Sequence, residues 1–180
     1  MNATGFLAPT HPVNNDKPAL RTDQTRSISR ALVKIFERNP SRRETYSATA
    51  DGPARLDGRP VLASDKERLS DFVVSMALAG RGAATRSRAV RKAIRVPRSM
   101  GSAALALAYV ANGRFDAFIQ QGGLSNWDIA AAGLIAERGG ATVTDMSGGP
   151  WFDVARKSRS IGILAAPPAH HAALLALARG

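Results

Sequence analysis

The stretch NWDIAAAGLIAERGG, residues 126–140, carries an acidic residue at its third position, continues as a run of small and apolar residues, and ends in a glycine pair. The pattern predicts a helix with Ser125 or Asn126 as its N-cap and Gly139-Gly140 as its stop. Because the run is apolar or small on every side through Ala136, the helix should be buried all round. A helix buried on all sides needs packed layers around it, so this stretch indicates a layered fold.

The segments around this helix alternate between strand and helix patterns. Strands separated by apolar helices are typical of an α/β protein with a mixed sheet flanked by helices, whose ligands bind at the carboxyl ends of strands. The predicted elements are an extended piece at 94–97, a helix at 102–111, strands at 115–120, 141–146 and 160–166, and a final helix at 168–179.

The first half of the chain has a different residue pattern, which changes near Pro40. Residues 1–39 are predicted to form a polar arm followed by an amphipathic helix with an apolar stripe through Ile28, Leu32 and Phe36. Short strands are predicted after it, at 46–50, 54–62 and 71–78, with Asp57-Gly58 as a hairpin turn. We therefore predict two parts, an arm over 1–39 and one folded region over 40–180.

Composition limits the class of protein. A chain of 180 residues that is 44% hydrophobic can bury a core, and the absence of cysteine excludes disulfides and thiolate chemistry. No segment is long and apolar enough to span a membrane, and no signal-peptide pattern opens the sequence. A cytoplasmic protein without a membrane partner is expected.

The formal net charge of +11 is unevenly distributed, since 19 of the 25 Lys and Arg residues occur up to Arg98. The densest run, residues 81–98, could contact phosphate backbones, but it lacks interleaved aromatic residues for base stacking. The pattern favours a solvated basic face or an anion-attracting rim over a dedicated nucleic-acid site.

Asp128 is the candidate functional residue of the quoted stretch. In the first turn of a helix, free amides and the helix dipole favour an anion, so Asp128 could be a helix-start residue and nothing more. It could also be a ligand for a hard cation such as Mg²⁺. Asp128 is expected at the edge of a packed layer and has no basic partner nearby in sequence, and such a carboxylate suits a hard cation.

Residues 127–135 and 137–140 closely resemble the C-terminal signature of the inositol monophosphatase family, the Mg²⁺-dependent phosphomonoesterases. The resemblance covers about residue 40 to the C-terminus. The other matching stretches are 46–60, 98–104, 112–117, 144–145, 148–150 and 163–166. The resemblance implies the C-terminal part of that family's sugar phosphatase fold, and a phosphorylated small molecule as ligand.

The resemblance also implies roles for particular residues. Asp128 corresponds to an aspartate that ligates a catalytic magnesium and contacts the substrate. Gly101, Ser102 and Ala103 resemble the loop that meets substrate hydroxyls and phosphate. Inositol-preferring members carry a glutamate shortly before the Trp-Asp pair. The counterpart here is Gln120 or Gln121, with Gln121 taken as the substrate-binding candidate, and a neutral amide there argues against an inositol preference.

Two family motifs are missing, Gly-Asp-x-Glu-Glu and Asp-Pro-Ile/Leu-Asp-Gly-Thr, which supply most of the metal ligands. The partial look-alike at 56–59 fits turn chemistry instead, and Glu137 and Asp145 are expected at the surface or in turns. One carboxylate cannot hold magnesium tightly, so weak binding is expected.

Two interpretations stay open. The chain could be the C-terminal half of a phosphatase that acts on inositol phosphates, sugar phosphates or 3′-phosphonucleotides, completed by a complementing chain or by homodimerisation. It could instead be an amino-truncated, non-catalytic remnant that binds phosphorylated ligands or a protein partner. Because most of the metal ligands are missing, lack of independent activity is favoured.

Overall fold

A computed structural model describes residues 42–180. The predicted arm and helix over 1–39 lie outside the described residues, so that boundary stays a prediction. No described helix is both long and apolar enough to cross a membrane.

The described chain forms a mixed α/β fold with two sheets and four α-helices. The strands are β1 (Tyr46–Ser47), β2 (Arg55–Leu56), β3 (Arg59–Pro60), β4 (Val73–Ala77), β5 (Val96–Arg98), β6 (Ala117–Leu124), β7 (Thr142–Asp145) and β8 (Ile161–Ala166). The helices are α1 (Ala83–Ala93), α2 (Ala103–Ala111), α3 (Asn126–Arg138) and α4 (Pro168–Arg179), and a 3₁₀ turn covers Leu69–Asp71. The predicted fold class is confirmed.

The five-stranded sheet has the order β5-β4-β6-β8-β7. Strands β5 and β6 pair in parallel with β4, whereas β8 pairs antiparallel with both β6 and β7. The carboxyl ends of three parallel strands therefore meet at one edge of the sheet, where α/β proteins place their ligands.

Alternating side chains divide this sheet between two cores. In β6 and β8, Phe118 and Ile163 pack with α2 and α3, whereas Ile119 and Leu164 pack with α1 and α4 on the opposite face. The period-two alternation of a strand produces this division. The sheet is thus covered by a helix pair on each face.

The small sheet of β1, β2 and β3 covers the outer side of α2 and α3. Tyr46 and Ala54 pack against Leu134 and Ile135 of α3, and every residue from 129 to 136 is buried. The prediction of a helix buried all round is confirmed. The hairpin prediction is confirmed as well, because Leu56 pairs with Arg59 and the turn residues Asp57 and Gly58 both have positive φ.

Close packing also restricts α3 at Gly133. A Cβ atom added there would lie 2.5 Å from the Trp151 ring, a contact no side chain can tolerate. The glycine lets the indole lie directly on the helix, which fixes the loop after β7 against α3.

Candidate functional site

A cavity of about 440 Å³ opens at the carboxyl ends of β4 and β5, beside the amino-terminal ends of α2 and α3. The residues that line it come from β4, the loop into α2, β6 and α3. They are Ser75–Ala77, residues 99–104, Phe118, Gln120, Leu124 and Asp128. The cavity thus brings Gly101, Ser102 and Ala103 together with Asp128, while the roles that the resemblance gives them stay predictions.

The amino-terminal end of α2 supplies hydrogen-bond donors to this cavity. Gly101 adopts a φ of 72°, a left-handed conformation that glycine tolerates best. The next residue, Ser102, caps the helix, and its hydroxyl accepts the Leu105 amide at 3.2 Å. The amides of Ala103 and Ala104 have no intrahelical acceptor at the start of a helix, so they can meet an anion.

Asp128 approaches the cavity from the first turn of α3. Its Oδ2 accepts the Ser125 amide at 2.8 Å, which fixes the side chain and confirms Ser125 as the N-cap. Ser125 is itself held by the loop before β8, because its hydroxyl accepts the Arg159 amide at 3.1 Å and lies 2.7 Å from the Ser158 hydroxyl. Asp128 is therefore a positioned, half-buried carboxylate.

The two adjacent glutamines lie on opposite faces of β6, and the structure does not place the substrate-binding candidate Gln121 at the cavity. Gln120 lines the cavity, and its Nε2 donates to the Gly122 carbonyl at 3.3 Å. Gln121 is not among the lining residues; its Oε1 accepts a hydrogen bond from Arg86 of α1 at 2.7 Å. A shift of one residue along a strand reverses the face that a side chain occupies.

Sequence reasoning missed several residues of the cavity. Ser75 and Phe118 lie inside β4 and β6, and Ser99 follows β5. Isolated serines and a core phenylalanine carry no motif, so only the pairing of β4 with β6 could have pointed to them.

The cavity offers few ligands to a metal ion. Among the described residues that line it, Asp128 is the only carboxylate, and the other oxygen-bearing side chains are neutral hydroxyls and the amide of Gln120. Among residues 42–180, no three His, Cys, Asp or Glu side chains are grouped closely enough to hold a metal ion. Mg²⁺ prefers several oxygen ligands in octahedral geometry, so the described residues of this cavity do not by themselves fit a tightly bound magnesium ion.

Asp145 is the last residue of β7 and is buried, at 5% exposure, so the expectation of a surface or turn residue is wrong for it. Its Oδ1 accepts the amides of Ser147 and Gly149 at 2.8 and 2.9 Å and the Ser147 hydroxyl at 2.8 Å, while Oδ2 pairs with Arg156. Burial alone would raise the pKa of Asp145, but the hydrogen bonds from Arg156, Ser147 and Gly149 outweigh it and lower the pKa to about 2. Glu137 is exposed, as expected.

The model of the inositol monophosphatase family matches residues 38–180. The chain belongs to this family. It is 38% identical to an inositol-1-monophosphatase of Mesorhizobium japonicum over 117 residues, which are 62% of this chain and 44% of that protein. It is 34% identical to a Nus factor SuhB of Pseudomonas aeruginosa over 127 residues, covering 63% of this chain and 45% of that protein.

Solved structures agree with this assignment. A crystal structure of the extragenic suppressor protein suhB from Bartonella henselae superposes with a TM-score of 0.70 at 30% identity, covering 79% of this chain and 56% of that one. An IMPase from Thermotoga maritima gives a TM-score of 0.68 at 28% identity, covering 78% and 53%. The chain thus spans about half the length of the relatives it matches.

Proposed function

We propose that this chain binds phosphorylated small molecules in the cavity between α2 and α3, and that it does not hydrolyse them by itself. The observation that carries the proposal is the composition of the cavity: a helix start with two unpartnered amides lies beside a single carboxylate. The first feature suits a phosphate, and the second is too little for metal-assisted hydrolysis.

Binding is assigned to the start of α2 and to β6. The amides of Ala103 and Ala104 and the positive end of the helix dipole would receive the phosphoryl oxygens. Gln120 and the cavity serines would receive hydroxyl groups of the ligand, because amide and hydroxyl side chains both donate and accept hydrogen bonds. A neutral Gln120 in this role fits sugar phosphates or phosphonucleotides as well as inositol phosphates.

Hydrolysis needs more than these residues supply. The family is generally Mg²⁺-dependent, and bound cations stabilise the charge that develops on a transferring phosphoryl group. One carboxylate among neutral ligands does not hold such cations. A second chain that adds carboxylates beside Asp128 would complete the site.

A second candidate, a non-catalytic role with a protein partner, is favoured by the similarity to proteins named Nus factor SuhB. That name describes those proteins and assigns no partner to this chain. Failure of every phosphorylated compound to bind, together with absence of hydrolysis, would favour this second candidate.

The test is Mg²⁺-dependent phosphate release from inositol phosphates, sugar bisphosphates and 3′-phosphoadenosine phosphate. The purified chain is assayed beside Asp128→Asn and beside the Mesorhizobium japonicum relative as a positive control. The expected result is no release above the Asp128→Asn background, while the relative hydrolyses at least one compound. Release that Asp128→Asn abolishes would overturn the proposed lack of independent hydrolysis.

A further inference from the structure

A second surface of the molecule carries charge that the cavity does not use. It is the solvent-facing side of α1, where Arg88, Arg91 and Lys92 are all exposed. Exposed Arg81 and Arg95 extend it beyond the two ends of the helix. We call these five residues the basic ridge.

Helical spacing brings the central three together. Residues at i, i+3 and i+4 share one face of a helix, so Arg88, Arg91 and Lys92 lie side by side. The opposite face of α1 carries buried Val90, which packs against Leu174 and Ala178 of α4. The ridge is therefore held outward by the core and is not a chance arrangement of mobile side chains.

The chain does little to neutralise this charge. The sequence has no Asp or Glu between Asp71 and Asp116, and none of the five ridge residues forms an ion pair with another described residue. Like charges at i, i+4 destabilise a helix, and α1 also lacks an acidic residue in its first turn, although the helix dipole favours Arg91 and Lys92 in the last turn. No described acidic side chain neutralises the ridge, so its charge is available to an anionic partner.

We propose that the basic ridge binds the phosphodiester backbone of a nucleic acid without reading its bases. Arginine predominates in the ridge, and its planar guanidinium pairs with phosphate in bidentate fashion. Along the length of α1, about 16 Å, a duplex presents about ten negative charges. Backbone binding of this kind needs no aromatic stacking residues, whose absence from residues 81–98 counts only against a base-reading site.

Two other kinds of partner, a membrane surface and another protein, fit the basic ridge less well. The exposed large apolar side chains of the described residues are Leu62, Trp127 and Val154, none of them on or next to α1. A membrane-surface helix inserts an apolar face, and a protein interface needs an apolar core with aromatic anchors. The ridge offers neither, which leaves a partner bound by charge alone.

The experiment measures binding of fluorescein-labelled RNA and DNA of mixed sequence by fluorescence anisotropy across a salt series. The test variant is R88Q/R91Q/K92Q. The control, R59Q/R138Q/K157Q, removes the same net charge from exposed residues elsewhere. Circular dichroism and unfolding curves verify that both variants are folded.

The expected result is at least a tenfold loss of affinity at low salt for the test variant, with less than a threefold change for the control. The slope of log affinity against log salt should fall by about 2 to 3, since each lost phosphate contact removes about 0.9. Equal losses in the two variants would overturn the proposal, because net charge alone would then explain binding. Equally tight ridge-dependent binding of poly-glutamate or of phosphatidylserine vesicles would overturn it too.

Discussion

Asp128 in the first turn of α3 and Asp145 at the end of β7 are placed in similar ways, next to a buried element and a loop. The surrounding chain treats them differently. Asp145 accepts four hydrogen bonds from Ser147, Gly149 and Arg156, which occupy both of its oxygens. Asp128 accepts one hydrogen bond from a described residue, the Ser125 amide, and lines the cavity. An aspartate satisfied by its own chain serves the fold, whereas one left with free acceptor capacity at a cavity can serve a ligand.

The largest expected effect is on Asp145. Asp145→Asn removes the counter-charge of Arg156 and can place the side-chain NH₂ group of the asparagine against the Arg156 guanidinium, so that two donors face each other. The free energy of unfolding should therefore fall by about 2 to 4 kcal/mol. Urea unfolding measures it. The control is Asp153→Asn, whose side chain accepts one hydrogen bond, from the Ala155 amide, at an exposed position. If Asp145→Asn cost no more than Asp153→Asn, the structural role of Asp145 would be disproved.

The pH dependence of stability tests the same carboxylate in the wild-type protein. Its pKa is about 2 in the folded protein, below the ordinary value of 3.8, so its contribution is fully present above about pH 4. That contribution is lost as pH falls from about 4 through 2, and it amounts to about 2 kcal/mol. The decline in unfolding free energy over this range should be shallower in Asp145→Asn, as measured by urea titrations at several pH values. Parallel declines in the two proteins would contradict the prediction.

A smaller effect is expected at the cavity, from the helix cap. Ser102→Ala removes the hydroxyl that accepts the Leu105 amide, which should cost about 1 kcal/mol. The matched control, Ser99→Ala, removes an exposed hydroxyl from the same cavity with no cap to lose. Thermal unfolding of both variants checks this, and equal stabilities would mean that Ser102 does not hold the start of α2.

The smallest effect is expected for Asp128→Asn. The amide oxygen can still accept the Ser125 amide, so the free energy of unfolding should change by less than about 1 kcal/mol. Urea unfolding beside Asp145→Asn makes the comparison direct. A loss at Asp128 as large as that at Asp145 would show that both aspartates serve the fold.

The sequence predicted most elements correctly where apolar periodicity or turn chemistry was strong. Helix α3, its Ser125 cap and the Asp57-Gly58 hairpin follow from local patterns, and α4 covers the predicted residues 168–179. Helix α1 was not predicted, because Val90 is its only buried residue and its polar, Arg-rich sequence shows no apolar stripe. Its stability depends on packing against α4, which local sequence does not reveal.

The site was predicted only as far as motifs extend. Gly101, Ser102, Ala103 and Asp128 follow from the family resemblance and meet at one cavity. The substrate-binding candidate Gln121 lies off the cavity, because one residue of register decides which face of β6 each of the adjacent glutamines occupies. Strand β6 also continues past the predicted end at Gln120, through Gly122 and Gly123 with positive φ, to Leu124. Such an irregular strand end depends on its pairing with β8, where the register shifts between Gln120 and Leu124.

The central claim, that the start of α2 receives a phosphoryl group, is tested most directly by calorimetric titration of inositol 1-phosphate into three proteins. They are the wild type, Ala103→Glu, which places a negative charge at the start of α2, and Ala169→Glu, which places the same charge in the first turn of α4 away from the cavity. Both substitutions suit a helix start, so both variants should fold. The wild type and Ala169→Glu are expected to bind, with at least a tenfold weaker affinity in Ala103→Glu. Equal affinities in all three proteins, or no binding by the wild type, would contradict that claim.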